Sequence, residues 1–153
     1  MQLFDVNRTV DYVLRQEIDP KTKKPRKGAT TWKLRALRTS EMGALDDAML
    51  DFSNATVNTD TDGDGRPVAR MERPALDLSG RQRNRVRLGV VGWDGLLGPD
   101  GQPVPYTPEQ FRVGARSVSG VPMDVVDALP PSVLRELADK IEDLSSIPAA
   151  GGN

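Results

Sequence analysis

The chain has 153 residues, of which 37% are hydrophobic and only 5% aromatic, with 14 Gly and 12 Pro, so it can bury one modest core surrounded by long loops. It contains neither Cys nor His, which excludes disulfides, thiolate or imidazole metal ligation, and any Ser–His–Asp or Cys–His mechanism. Twenty-one Lys and Arg against 22 Asp and Glu give a formal net charge of −1, which argues against a nucleic-acid partner held by bulk charge and leaves only local patches open.

The opening residues Met1 to Asp5 lack the charged-then-apolar layout of a signal peptide, and no apolar run approaches the roughly 18 residues needed to span a bilayer. A soluble protein made in a cytoplasm, with no membrane partner, is expected. From Thr9 to Arg15, Val10, Tyr12 and Leu14 alternate with polar residues, the period of a half-buried strand. Thr31 to Leu37 repeats the pattern, with Trp32, Leu34 and Ala36 on one face. The Pro- and Gly-bearing stretch Asp19 to Gly28 between them predicts an antiparallel hairpin whose tip carries Lys21, Lys23, Lys24, Arg26 and Lys27.

Ser40 suits an N-cap with Glu41 in the first turn, and Met42, Leu45, Met49 and Phe52 recur at helical spacing, predicting a helix from Glu41 to about Ser53. Asn54 to Pro74 carries little periodic apolar signal and reads as loop. Within it, Asp60, Asp62 and Asp64 followed by Gly65 match the first half of a calcium loop, but the twelfth position is Met71 and the acid Glu72 comes one residue late. Calcium is therefore the one cofactor to test, against a solvated acidic loop.

Leu76 to Gly92 fits strand or helix; the helix is the preferred reading, with Arg81 to Arg87 as its exposed face and Gly89 and Gly92 in close packing against another backbone. Trp93 to Glu109 is dense in turn formers, and its Trp93 and Tyr106 are expected to anchor it to the core while their N–H and O–H groups find partners. Asp94, Asp100 and Glu109 offer carboxylates for acid–base work, although turn formation is the commoner use of such Asp. A short helix is expected from Pro122 to Leu129. A longer one starts with Pro131 at its first position, with Val133, Leu134, Leu137, Ala138, Ile141 and Leu144 in one stripe. Pro148 ends it, leaving a tail over 148–153.

The residues thus predict one α+β domain over 1–147, with an N-terminal hairpin, two or three helices and long loops. The expected protein contacts are the basic tip, Trp93 and Tyr106, and Leu134, Leu137 and Ile141 of the last helix, docked on a neighbour. A further arrangement sets the basic tip of one copy against the acidic loop of the next, in a homo-oligomer.

Val91-Gly-Trp-Asp-Gly95 with Pro99 to Glu109 resembles a signature of small tailed-bacteriophage morphogenesis proteins. Thr30 to Glu41 resembles the strand-then-helix opening of tail assembly chaperones, and Leu129 to Ile141 their closing helix. The acidic loop and the long basic turn depart from the chaperone pattern. The resemblance implies a non-enzymatic accessory component of the virion, at head, neck or tail, in contact with capsid, neck or tail subunits. Its alternative is a chaperone that binds tape-measure or tail-tube protein transiently.

Overall fold

The computed structural model describes residues 5, 7–51, 57–71 and 75–146. In chain order the elements are β1 (Thr9–Val13), β2 (Thr31–Arg35), α1 (Thr39–Met49), β3 (Leu50–Asp51), β4 (Val57–Thr61), β5 (Pro67–Met71), β6 (Ala75–Leu76), α2 (Leu78–Gly89), β7 (Val90–Asp94), β8 (Glu109–Val113), β9 (Arg116–Gly120), α3 (Met123–Ala128) and α4 (Pro131–Ser146), with a short 3-10 turn over Arg15–Glu17. This is the α+β architecture expected. No helix among the described residues is long and apolar enough to cross a membrane.

The predicted hairpin forms: β1 and β2 pair antiparallel from Thr9↔Arg35 to Val13↔Thr31. β7 joins the other side of β2, giving the order β1-β2-β7, with a register shift between Lys33 and Leu34. Centrality explains the burial of β2, in which Trp32 and Leu34 are closed off while Thr31, Lys33 and Arg35 stay half-buried.

Helix α1 starts one residue before the predicted cap. Arg38 takes the capping position, its carbonyl accepting from the N–H groups of Glu41 and Met42, and Glu41 reaches back to accept the Arg38 N–H at 2.8 Å, the return half of a capping box. The same carboxylate takes two bonds of 2.9 Å from the Arg35 guanidinium. Burial alone would raise the Glu41 pKa, but Arg35, the Arg38 N–H and the two positive charges outweigh it and hold the group below its usual value. The ionised form therefore stabilises the folded state above the ordinary carboxylate range, and that contribution disappears as pH falls through the lower folded value. Glu41→Gln should cost about 1–2 kcal/mol at neutral pH and less at acid pH, measured as the difference in urea midpoints. An equal cost at both pH values would contradict the assignment.

The helix ends at Met49 rather than near Ser53, because Leu50 and Asp51 pair with Leu76 and Ala75 in a two-residue ladder. Phe52 and Ser53 lie outside the described residues, as does the tail. The stretch read as loop holds a second hairpin, β4 against β5, in register from Val57↔Met71 to Thr61↔Pro67. In β4, Val57, Thr59 and Thr61 alternate with Asn58 and Asp60, a ribbon pattern that an apolar-periodicity reading passes over.

Leu76 to Gly92 combines both readings in sequence. Asp77 caps α2, its carboxylate accepting the Gly80 N–H at 2.8 Å, and the chain turns to strand at Val90. The expectation that Arg81 to Arg87 is an exposed face is overturned: Arg85 and Arg87 are only 3% and 4% exposed. Helix α2 runs between α1, α3, α4 and the β8–β9 hairpin, and its four arginines each meet an acid from a different element. Arg81 pairs with Asp46 of α1 at 2.6 Å and Arg85 with Glu142 of α4 at 2.7 Å; Arg83 lies 3.6 Å from Asp127 of α3, and Arg87 pairs with Glu109 of β8. Alternate residues of a helix lie about 200° apart, so Arg81 and Arg85 face one side and Arg83 and Arg87 the other.

The last two helices form as expected. Val133, Leu137, Ala138 and Ile141 of α4 join Trp32, Leu34, Leu45, Val86, Val90 and Trp93 in one core. Gly89 is where α2 and α4 touch most closely: a Cβ there would fall 2.5–2.7 Å from three carbons of Ile141. The close packing expected of Gly89 is thus against a side chain, and Gly92 has only ordinary contact with Lys33.

Candidate functional site

The central loop is built on β7. Trp93 ends inside the core, edge-on to Trp32 at 5.9 Å between centroids and to Tyr106 at 5.0 Å. Its indole N–H donates to the Val104 carbonyl at 2.6 Å, and the Tyr106 hydroxyl donates to the Val90 carbonyl at 3.3 Å. Between these anchors the loop closes on itself through Val104 N–H to Leu96 O and Gly98 N–H to Gln102 O, and Gly101 takes the positive φ of 74° that the turn requires. Trp93 and Tyr106 therefore fix the loop as their residue types suggest. Trp93, 8% exposed, does so from the interior and presents little surface to a partner.

The last helix behaves differently from expectation. Leu137 and Ile141 are fully buried in the chain's own core and Leu134 is partly buried against it, so the stripe is closed to a neighbour. The cause is the contact with α2: the apolar face expected to dock on a neighbour is covered within the chain. Glu136, from the polar side, accepts both the Tyr12 hydroxyl and the Arg15 N–H at 2.7 Å and ties α4 to the end of β1. Burial and the Glu136 carboxylate together push the Tyr12 phenol up. A groove of about 250 Å³ beside this tie carries Arg15, Arg135, Asp139 and Lys140, a mixed set of charges.

The basic tip is exposed throughout: residues 20–28 all lie in solvent. Its backbone is nonetheless ordered by its own bonds. Asp19 accepts the N–H groups of Lys21 and Thr22 on its carboxylate and that of Lys23 on its carbonyl, and Arg26 N–H donates to Glu17 O.

Asp62 and Asp64 sit in the turn joining β4 to β5, and Asp60 lies on β4 opposite Val68. One carboxylate oxygen of Asp62 accepts the N–H groups of Asp64 at 3.0 Å and Arg66 at 2.8 Å, so it shapes the turn. A calcium loop needs its twelfth residue to fold back onto the ion. Here that residue, Met71, pairs with Val57 at the far end of the ribbon. Among the described residues no group of three or more His, Cys, Asp or Glu is placed to hold a metal. Millimolar calcium should accordingly leave the melting midpoint where a chelator leaves it; a rise with calcium would show that the folded state binds the ion.

The three carboxylates considered for acid–base work each have a different partner. Asp94 lies 3.5 Å from Lys33, and Asp100 accepts the Gln102 N–H. Glu109 holds Arg87 and accepts the Met123 N–H at 2.8 Å. No family model, curated protein or solved structure matches the chain.

What sequence reading missed is the pairing of buried Arg85 with Glu142 and of buried Arg87 with Glu109. Arg87 also donates to the Val121 carbonyl at 2.8 Å and stacks 3.6 Å over the Phe111 ring. Desolvation pulls its guanidinium down from the ordinary value, and Glu109 and Asp127 pull it back. The available signal was the i, i+4 spacing of Arg81 with Arg85 and of Arg83 with Arg87, which gives a helix two charged faces where an amphipathic one has a single polar side.

Proposed function

We propose that this chain is a non-enzymatic structural component of a tailed-bacteriophage particle, made in the bacterial cytoplasm and retained at the head, neck or tail, where it stabilises contacts between larger subunits. One observation carries the reading. The three stretches that resemble phage morphogenesis proteins, far apart in sequence, meet in a single core: Trp32 and Leu34 from the first, Trp93 from the second, Leu137 and Ile141 from the third. A signature that is also a spatial unit is better support than three separate likenesses. Arg85 and Arg87 of α2 are buried in ion pairs, so the protein contacts fall to peripheral surfaces, above all the pinned central loop, whose Leu97 is 58% exposed. Several copies per particle, and a homo-oligomer among them, fit this role.

A transient tail assembly chaperone is the second reading. It is favoured by the meeting of the opening and closing elements, where the Leu37 N–H following β2 donates to Ser145 Oγ of α4 at 2.9 Å. Against it stands the closure of the apolar stripe of α4, the surface a client segment would need. Quantitative mass spectrometry of purified particles separates the two. The structural reading expects the chain in many copies per particle. Its absence from particles together with recovery on tape-measure or tail-tube protein from infected cells would establish the chaperone, and absence from both would end both readings.

A further inference from the structure

We propose that the arm from Asp19 to Gly28 binds the phosphodiester backbone of a duplex nucleic acid, a function separate from the protein contacts argued above and independent of them. The net charge of −1 is an average over two unlike parts. Five of the 21 cations lie within seven residues, at Lys21, Lys23, Lys24, Arg26 and Lys27, leaving 16 against 22 acids for the rest of the chain. None of the five has a carboxylate within ion-pair distance among the described residues, in contrast to the four arginines of α2. The acids flanking the arm, Glu17 and Asp19, make no ion pair with these cations among the described residues. Asp19 is engaged by the N–H groups of Lys21 and Thr22, and Glu17 accepts the Thr30 N–H. The arm from Asp19 to Gly28 therefore carries five cations against one carboxylate.

The arm is also preorganised. Lys23 adopts a left-handed conformation (φ 58°) with its N–H on the Asp19 carbonyl, and Ile18 bridges to Pro25, so the cations project from a closed turn rather than a floppy chain. Ordering costs on binding are correspondingly small. Its chemistry selects the partner. Protein interfaces draw their energy from buried aromatic or apolar anchors, and residues 19–28 contain no aromatic residue and, apart from two prolines, no apolar one larger than Gly. The same absence removes the stacking platform that single strands need. Four of the five cations are Lys, compact point charges that suit phosphate oxygens without reading bases. A second copy of this chain is the less suitable acceptor, because no three carboxylates converge among its described residues and the acids of α4 are interspersed with Arg135 and Lys140.

The test is a fluorescence-anisotropy titration of the full chain against a labelled random-sequence DNA duplex of roughly 20 base pairs, repeated with duplex RNA to rank the two sources, at several salt concentrations. With three to five phosphates neutralised, the logarithm of the binding constant should fall against the logarithm of salt with a slope of about −3 to −4.5. Lys23→Gln with Lys24→Gln should reduce that slope by about 2. Neutralising all five to Gln should weaken binding at low salt by at least about 30-fold without moving the melting midpoint, since every one of them is exposed. The proposal is overturned if wild type and the five-fold variant bind alike. It is also overturned if polyglutamate displaces the duplex at equal charge concentration, which would make the partner an acidic protein. Arm-dependent self-association in sedimentation without duplex binding would likewise replace it with a second copy of the chain.

Discussion

Arg87→Ala is expected to destabilise the fold by about 3–5 kcal/mol in urea or thermal unfolding. Arg87 is 4% exposed and ties α2 to two segments: its guanidinium donates to Val121 O ahead of α3, pairs with Glu109 and lies over Phe111, both of β8, and its carbonyl accepts the Val121 N–H at 3.0 Å. Truncation leaves a cavity, an unpaired carbonyl and a carboxylate without its cation. Those losses separate experimentally. Arg87→Met keeps most of the volume and should cost about 2 kcal/mol less than Ala if packing contributes. Glu109→Gln should cost only about 1 kcal/mol, because Glu109 is 45% exposed and its ionised form is partly hydrated without Arg87. The close approach of β9 depends on the same place, where a Cβ on Gly120 would lie 2.0 Å from the Arg87 carbonyl oxygen. Should Arg87→Ala cost less than about 1 kcal/mol, the guanidinium is not the tie described.

The second large effect is at the contact of α2 with α4. Gly89→Ala should destabilise by about 1–3 kcal/mol, although Ala is the better helix former by about 1 kcal/mol, because its methyl overlaps an Ile141 side chain that has no free space. Ile141→Ala alone opens a cavity and should cost about 2–5 kcal/mol. Together the two should be less destabilising than their sum by at least about 1 kcal/mol, since the new methyl occupies part of the space vacated. Additive costs would mean that the two residues do not press on each other.

What the sequence makes legible is what depends on local periodicity. Val10 and Tyr12 with Trp32 and Leu34 mark a hairpin because both faces alternate, and Val133 to Leu144 mark α4 because one stripe repeats at helical spacing. Trp93 and Tyr106 are legible by residue type: a large ring with a polar edge in a polar loop must place both. The interior of α2 is not legible in this way. Buried Arg85 pairs with Glu142, 57 residues along the chain, and buried Arg87 with Glu109, 22 residues along. Nothing local to Arg-Gln-Arg-Asn-Arg-Val-Arg announces those partners, and buried arginine is rare without them. The same distance effect turned Leu137 and Ile141 from an expected docking face into core. The β4–β5 hairpin escaped for another reason, since the alternation in β4 is between β-branched and polar residues rather than between apolar and polar ones.

The cations of this small fold divide in two: Arg85 and Arg87 of α2 are buried as ties, while those of the Asp19–Gly28 arm are exposed to solvent. Hydrogen–deuterium exchange of the free chain reads both at once. Residues 85–89 of α2 should be among the slowest to exchange, with 133–141 of α4 beside them, while 20–28 exchange orders of magnitude faster. An α2 that exchanges as fast as the arm would contradict the account.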